Sequence, residues 1–168
     1  MTDVHARAAL SQTKTRPRIQ YAALPWREGD DLEILLITSR ETGRWVIPKG
    51  WPMKGRSPAA AAAAEAREEA GVVGDIAKSP VGSYLYVKFR KTGLGSPCKV
   101  KVFPLKVTGQ RDSWREQTER TARWFPPAEA AAAVQERQLA RLIRKFAKRS
   151  AKGDAKTPRP AEESKKTG

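Results

Sequence analysis

The chain has 168 residues, 39% apolar and 30% charged, which suits one domain with a real core and polar ends. Its 33 Lys and Arg against 18 Asp and Glu leave a net charge of +15, favouring anionic partners such as phosphates, nucleic acid or an acidic membrane surface. With Cys98 the only cysteine and His5 the only histidine, an intrachain disulfide is excluded, and a Ser-His-Asp triad, a Cys-His pair or a Cys/His zinc site is argued against.

In chain order, residues 1–17 read as a flexible arm without the apolar stretch of a secretory leader, so the expected setting is cytoplasmic. Residues 19–26 (IQYAALPW) form a strand-like run, and 32–39 (LEILLITS) is the clearest buried strand, preceded by the turn signal of Gly29, Asp30 and Asp31. A short strand at 44–47 stops at Pro48. Two further strands are expected at 81–89 (VGSYLYVKF) and 99–107 (KVKVFPLKV), joined by a loop over 90–98. Pro104 argues for an edge or a bulge in the second of them. After Trp124 and Phe125, the prolines at 126 and 127 open an Ala-rich helix. A basic amphipathic helix follows over about 135–148, with Leu139, Leu142, Ile143 and Phe146 as its apolar stripe. The organisation expected is an arm (1–17), a domain (18–149) and a disordered basic tail (150–168), whose Lys, Gly, Pro, Glu and Thr cannot build a core. No apolar span is long enough for a membrane helix.

Residues 50–72, GWPMKGRSPAAAAAAEAREEAGV, carry the chemistry. Ser57 suits an N-cap, Pro58 the first helical position and Gly71 a left-handed C-cap. The alanines at 59–64 have the highest helix propensity and would let the helix approach a sheet closely. On that helix Glu65, Glu68 and Glu69 stand at i, i+3 and i+4, so their carboxylates stack on one face and repel. A charge run is ordinarily a solvated face, but a hard divalent cation that prefers oxygen ligands would offset the repulsion. The loop GWPMKGRS nearly matches the phosphate-cradling pattern GxxxxGK[ST]. Arg56, however, stands at the lysine position, the chain has too few βα units for that sheet, and the match leaves the glutamates unexplained.

Gly50, Glu65, Glu68, Glu69, Gly71 and Val72 fall on the spacing of the Nudix box, GX5EX7REUXEEXGU, and RWVIPKG before it resembles the usual lead-in. The likeness runs from about residue 18 to 148 and is closest to the diphosphoinositol polyphosphate and diadenosine polyphosphate hydrolase branch. The box departs at Arg56 and Ala64, which replace the glutamate and arginine that brace the loop against the helix, and at Ala66, which replaces a bulkier apolar residue. Losing both partners of a pair leaves no orphan charge, and Lys54 or Arg56 is a candidate to reach the helix glutamates or the substrate instead.

The resemblance implies an α/β fold of α+β type, an α/β/α sandwich with a mixed sheet between helices. It implies Glu65, Glu69 and Glu68 with the Gly50 carbonyl as ligands of Mg²⁺ or Mn²⁺, and Glu68 or Glu69 as catalytic carboxylate, with Glu116 or Glu119 as other candidates for the base. It places Arg40, Arg44 and Arg120 near substrate phosphates, with Lys49 and Lys54 flanking the loop. The expected activity is Mg²⁺-dependent cleavage of a diphosphate linkage in a diphosphoinositol polyphosphate or dinucleoside polyphosphate. The alternatives are hydrolysis at the 5′ end of RNA, or a decayed module that binds nucleic acid or polyphosphate. The partner expected is an anionic small molecule, with nucleic-acid contact through the basic helix a minority reading.

Overall fold

The computed structural model describes residues 16–89 and 91–153. Residues 1–15 of the expected 1–17 arm, 154–168 of the expected 150–168 tail and Arg90 of the expected 90–98 loop lie outside the described residues, while 150–153 belong to the last helix. Eight strands form one mixed sheet: β1 (Arg18–Glu28), β2 (Leu32–Thr38), β3 (Trp45–Val46), β4 (Lys49–Gly50), β5 (Val72–Ile76), β6 (Gly82–Phe89), β7 (Gly95–Gln110) and β8 (Ala122–Phe125). The main order is β3-β2-β1-β7-β5, with β4 on β1, β6 on β7 and β8 on β2. The central pair, β1 and β7, runs parallel with Ala22 opposite Val102; the other pairs are antiparallel.

Period-two alternation in β1 and β2 feeds two separate cores. Ala22, Leu24, Ile34 and Leu36 point to one face, where α2 (Pro127–Ala133) and α3 (Arg137–Gly153) cover them with Ala130, Leu139, Ile143 and Phe146. Ala23, Leu35 and Ile37 point to the other, under α1 (Pro58–Ala70), whose Ala59, Ala62, Ala66 and Ala70 pack on Val72, Phe103 and Leu105. The α/β/α sandwich expected from sequence is therefore the fold. The alanines allow α1 to lie close to the sheet, which brings its glutamate-bearing edge to the ends of β1 and β4.

The expected caps of α1 all form. Ser57 is extended (φ −63°, ψ 160°) and its hydroxyl accepts from the Ala60 N–H at 3.2 Å. Gly71 closes the helix at φ 68°, donating to the Arg67 carbonyl, and a Cβ there would overlap the Trp114 ring.

Several boundaries differ from expectation. Strand β7 is central, not an edge, and tolerates Pro104 because that residue falls where one partner gives way to another. Pairing with β6 ends at Val102, pairing with β5 begins at Leu105, and the Pro104 carbonyl accepts from the Ala77 N–H between them. Since N–H and C=O of a paired residue point the same way, the missing donor faces that gap. A bulge does occur in β7, further on, where the register against β5 shifts at Val73 and Gly74. The hairpin β6–β7 is tighter than a 90–98 loop, because β7 starts at Gly95. Helix α3 runs on to Gly153, past the end of its apolar stripe. The two-residue β4 and the five-residue β5 carried too little pattern to be read from sequence.

Candidate active site

Two adjoining cavities share Gln20, Arg40, Lys49, Glu69 and Lys88. The first, of about 610 Å³, gathers Gly50 and Trp51 from the loop, Glu65, Glu68 and Glu69 from α1, and Arg115, Glu116 and Glu119 from the segment after β7. The second, of about 230 Å³, is walled by Arg44, Tyr84, Tyr86, Arg120 and Glu136. One groove thus joins a carboxylate face to a basic and aromatic chamber.

The end of α1 is tied to the loop that completes the groove. Gln110 Nε2 donates to the Ala70 and Gly71 carbonyls at 3.1 and 3.2 Å, capping two of the helix's orphan acceptors. The Arg111 N–H donates to the Gly71 carbonyl, and the Glu116 N–H donates to the Glu68 carbonyl at 3.1 Å. These bonds bring Glu116 and Glu119, the candidate outside carboxylates, beside the box glutamates.

Glu65 lies so close to Gly50 that a Cβ on Gly50 would overlap its carboxylate and push that side chain aside. Among the described residues no cation pairs with Glu65 or Glu68. Burial, followed by repulsion from Glu69, Glu68 and Glu116, pushes the Glu65 carboxyl from an ordinary 4.5 up to about 7. Glu69 accepts from the Lys49 backbone N–H at 3.3 Å and pairs with Arg120 at 3.3 Å, both side chains about nine-tenths buried. It too rises to about 7, because burial outweighs the attraction of Arg120 and Lys49. All three glutamates sit in the second half of α1, where the helix dipole adds to the repulsion.

Arg120 is the central cation. It bonds Glu69, Glu116 (Nε, 3.3 Å) and the Thr38 carbonyl (3.1 Å), anchoring the post-β7 segment on β2. Arg40 pairs with Glu116 at 3.0 Å and Glu119 at 3.5 Å. Arg44 bonds Gln135 and pairs with Glu136 at 3.4 Å, while the other oxygen of Glu136 is buried without a partner among the described residues. The Lys49 amine stands 5.2 Å over the Tyr86 ring, and burial lowers its pKa against the pull of Glu69 and Glu136. Trp51, at the outer cavity, has the Arg18 guanidinium 4.0 Å from its ring centre and Lys88 at 5.2 Å.

Of the residues named from sequence, Gly50, Glu65, Glu68, Glu69, Arg40, Arg44, Lys49 and Arg120 all line this groove. Lys54 does not: it is exposed and borders neither cavity. Arg56 lies on the other side of α1, with Ala60, Ala64 and Arg67 around a hollow of about 340 Å³, and pairs with no carboxylate among the described residues. The expectation that Lys54 or Arg56 reaches the helix glutamates is not met. Lys88, Glu136, Tyr84, Tyr86 and Gln20 were not singled out. Alternation in β6 alone put Tyr84, Tyr86 and Lys88 on one face, but nothing local tied that face to the glutamates.

Among the described residues, no three His, Cys, Asp or Glu side chains are drawn together as a closed metal cage. The donor chemistry nonetheless fits a hard divalent cation. The groove's acids are all oxygen donors, they repel one another, and Glu65 and Glu69 are raised to about 7 despite the nearby Arg120 and Lys49.

The NUDIX domain profile matches residues 16–146. This chain belongs to the Nudix family. It is 33% identical over 119 residues to Nudix hydrolase 12, mitochondrial, of Arabidopsis thaliana, a match covering 68% of this chain and 58% of that protein. It is 35% identical over 107 residues to Nudix hydrolase 13, mitochondrial, of the same plant, covering 59% and 52%. The chain thus spans little more than half the length of these relatives. Among solved structures, a C. elegans Ap4A hydrolase in a binary complex matches with a TM-score of 0.61 at 21% identity, over 80% of this chain and 98% of that one. The NUDIX domain of Shewanella oneidensis NrtR, solved with ADP ribose, matches at 0.58 and 16%, over 87% and 99%. Both likenesses concern the Nudix fold.

Proposed function

We propose that this Nudix chain is a divalent-metal-dependent hydrolase that cleaves a diphosphate linkage in a phosphorylated small molecule, a dinucleoside polyphosphate or a diphosphoinositol polyphosphate. The observation that carries the reading is the single groove that gathers Glu65, Glu68, Glu69 and Glu116 with Arg40, Lys49, Lys88 and Arg115. Cations and carboxylates interleaved in one groove are what a polyphosphate and its attacking water need together.

Arg40, Lys49 and Lys88 bind phosphate oxygens where the two cavities meet, while Arg44 and the tyrosines receive the remainder of the substrate. Glu65 and Glu69, with Glu68 and the Gly50 carbonyl, would hold Mg²⁺ or Mn²⁺. When bound, such an ion neutralises the diphosphate and lowers the pKa of a coordinated water. Arg120 and the Lys49 N–H orient the Glu69 carboxylate. Glu68, which lines the groove without a cation partner among the described residues, is the carboxylate that takes the proton from the attacking water; general-base help of this kind is worth roughly 10²–10⁴ in rate. Positioning of the in-line attack supplies much of the rest.

The lost brace at Arg56 and Ala64 favours a second reading, a decayed module that binds without cleaving. It is the weaker one, because the departure lies across α1 from an otherwise complete carboxylate face. The test is a panel of dinucleoside polyphosphates, diphosphoinositol polyphosphates, nucleoside triphosphates and triphosphorylated RNA, with Mg²⁺ or Mn²⁺, scored by phosphate products. Turnover of one class that falls at least about a hundredfold in Glu68→Gln is expected; no turnover anywhere on the panel leaves the binding module.

A further inference from the structure

Helix α3 is unlike the rest of the surface. Its sequence RQLARLIRKFAKRSAKG contains no acidic residue. Arg137, Arg141, Arg144, Lys145 and Lys148 recur at intervals of three and four, so they form one stripe along the helix, roughly 16 Å long. All five are exposed, and none forms a salt bridge among the described residues. Uncompensated like charges at this spacing weaken a helix. Core packing by Leu139, Ile143 and Phe146 holds it in place instead.

The stripe starts at the groove. Glu136, which precedes Arg137, pairs with Arg44 in the inner cavity, and Gln138 accepts from the Leu85 N–H of β6 at 2.8 Å. Its far end is bounded by the β1–β2 turn, whose Glu28, Asp30, Asp31 and Glu33 border Ala147, Ser150 and Ala151 across a hollow. A linear cationic track therefore runs along α3 from its first turn, which adjoins the inner cavity through Glu136, and exposed Lys152 continues it past the acidic turn.

We propose that this track binds the phosphodiester backbone of single-stranded nucleic acid. A line of cations along one helix face matches an extended polyanion better than it matches a compact anion. A bilayer surface fits less well, because a helix lying on a membrane needs a free apolar face and that of α3 is spent in the core. The proposal does not depend on hydrolysis.

The experiment is fluorescence anisotropy of labelled oligo(U) and oligo(dT) with the full chain, between about 50 and 200 mM salt. The triple substitution Arg141→Gln, Arg144→Gln, Lys148→Gln removes three track charges. Lys78→Gln, Lys91→Gln, Lys99→Gln removes three exposed charges outside α3 and serves as control. Circular dichroism confirms that both variants keep their helix content. Binding should weaken at least about tenfold in the α3 variant, with the slope of log K against log salt shallower by about 2. The control should stay within about twofold of the parent. The proposal is overturned if the parent binds neither oligonucleotide, if both variants weaken equally, or if phosphatidylserine vesicles bind through α3 while the oligonucleotides do not.

Discussion

Glu65 and Glu69 set the electrostatics of the groove. Both ordinarily titrate near 4.5 and both stand at about 7 in the folded chain. The native state therefore holds protons that the unfolded state has released. The stability linked to these groups is fully present below about 4.5 and is lost as pH rises through about 7. With chelator present, the melting temperature should fall across that window; in Glu65→Gln, Glu69→Gln it should change less there. A saturating divalent ion should reverse the sign, because it binds the ionised carboxylates. A chelated protein with a flat profile would show that the acids are not crowded as described. The caps Ser57 and Gly71 and the spacing of the glutamates were legible in sequence because each is a local rule: an N-cap bond, a left-handed turn, a helical period. The pairing of Glu69 with Arg120, fifty-one positions on, is not local, although the resemblance had already set both near the substrate.

At the scale of elements, α1 is the part whose sequence departs from its family and whose structure shows the consequence. Ala64 is buried, and with Arg56, Arg67 and Val73 it encloses the hollow where the brace would stand. Ala64→Arg alone puts a third guanidinium beside Arg56 and Arg67 and should destabilise the chain. Arg56→Glu, Ala64→Arg supplies the missing pair and should recover that loss. A coupling of about 0.5–3 kcal/mol between the two changes is expected from a denaturant cycle, whereas simple additivity would mean that loop and helix do not meet there. Elements with a strong period, such as β2 and α3, were legible along most of their length. By contrast, β4 and β5 form because β1 and β7 already present bonding edges. Of the edge or bulge expected from Pro104, β7 has a bulge further on but is no edge, because Pro104 finds its gap only in the assembled sheet.

Taken whole, the molecule separates its charges. Helix α3 carries seven Lys and Arg and no acid, while five glutamates are concentrated in one cavity with Gly50. Composition pointed to anionic partners without locating a site; the proposed groove exists only in the sandwich, which brings α1, β6 and the segment after β7 together. The central claim is that the α1 carboxylates form a divalent-cation site, and calorimetric titration of the parent chain with Mn²⁺ addresses it most directly. Binding is expected to release protons when carried out at or below about pH 7, since Glu65 and Glu69 are partly protonated there. In Glu65→Gln, Glu69→Gln, with its fold intact by circular dichroism, both the binding heat and the proton release should be lost. Mn²⁺ binding that is unchanged in that variant would contradict the account.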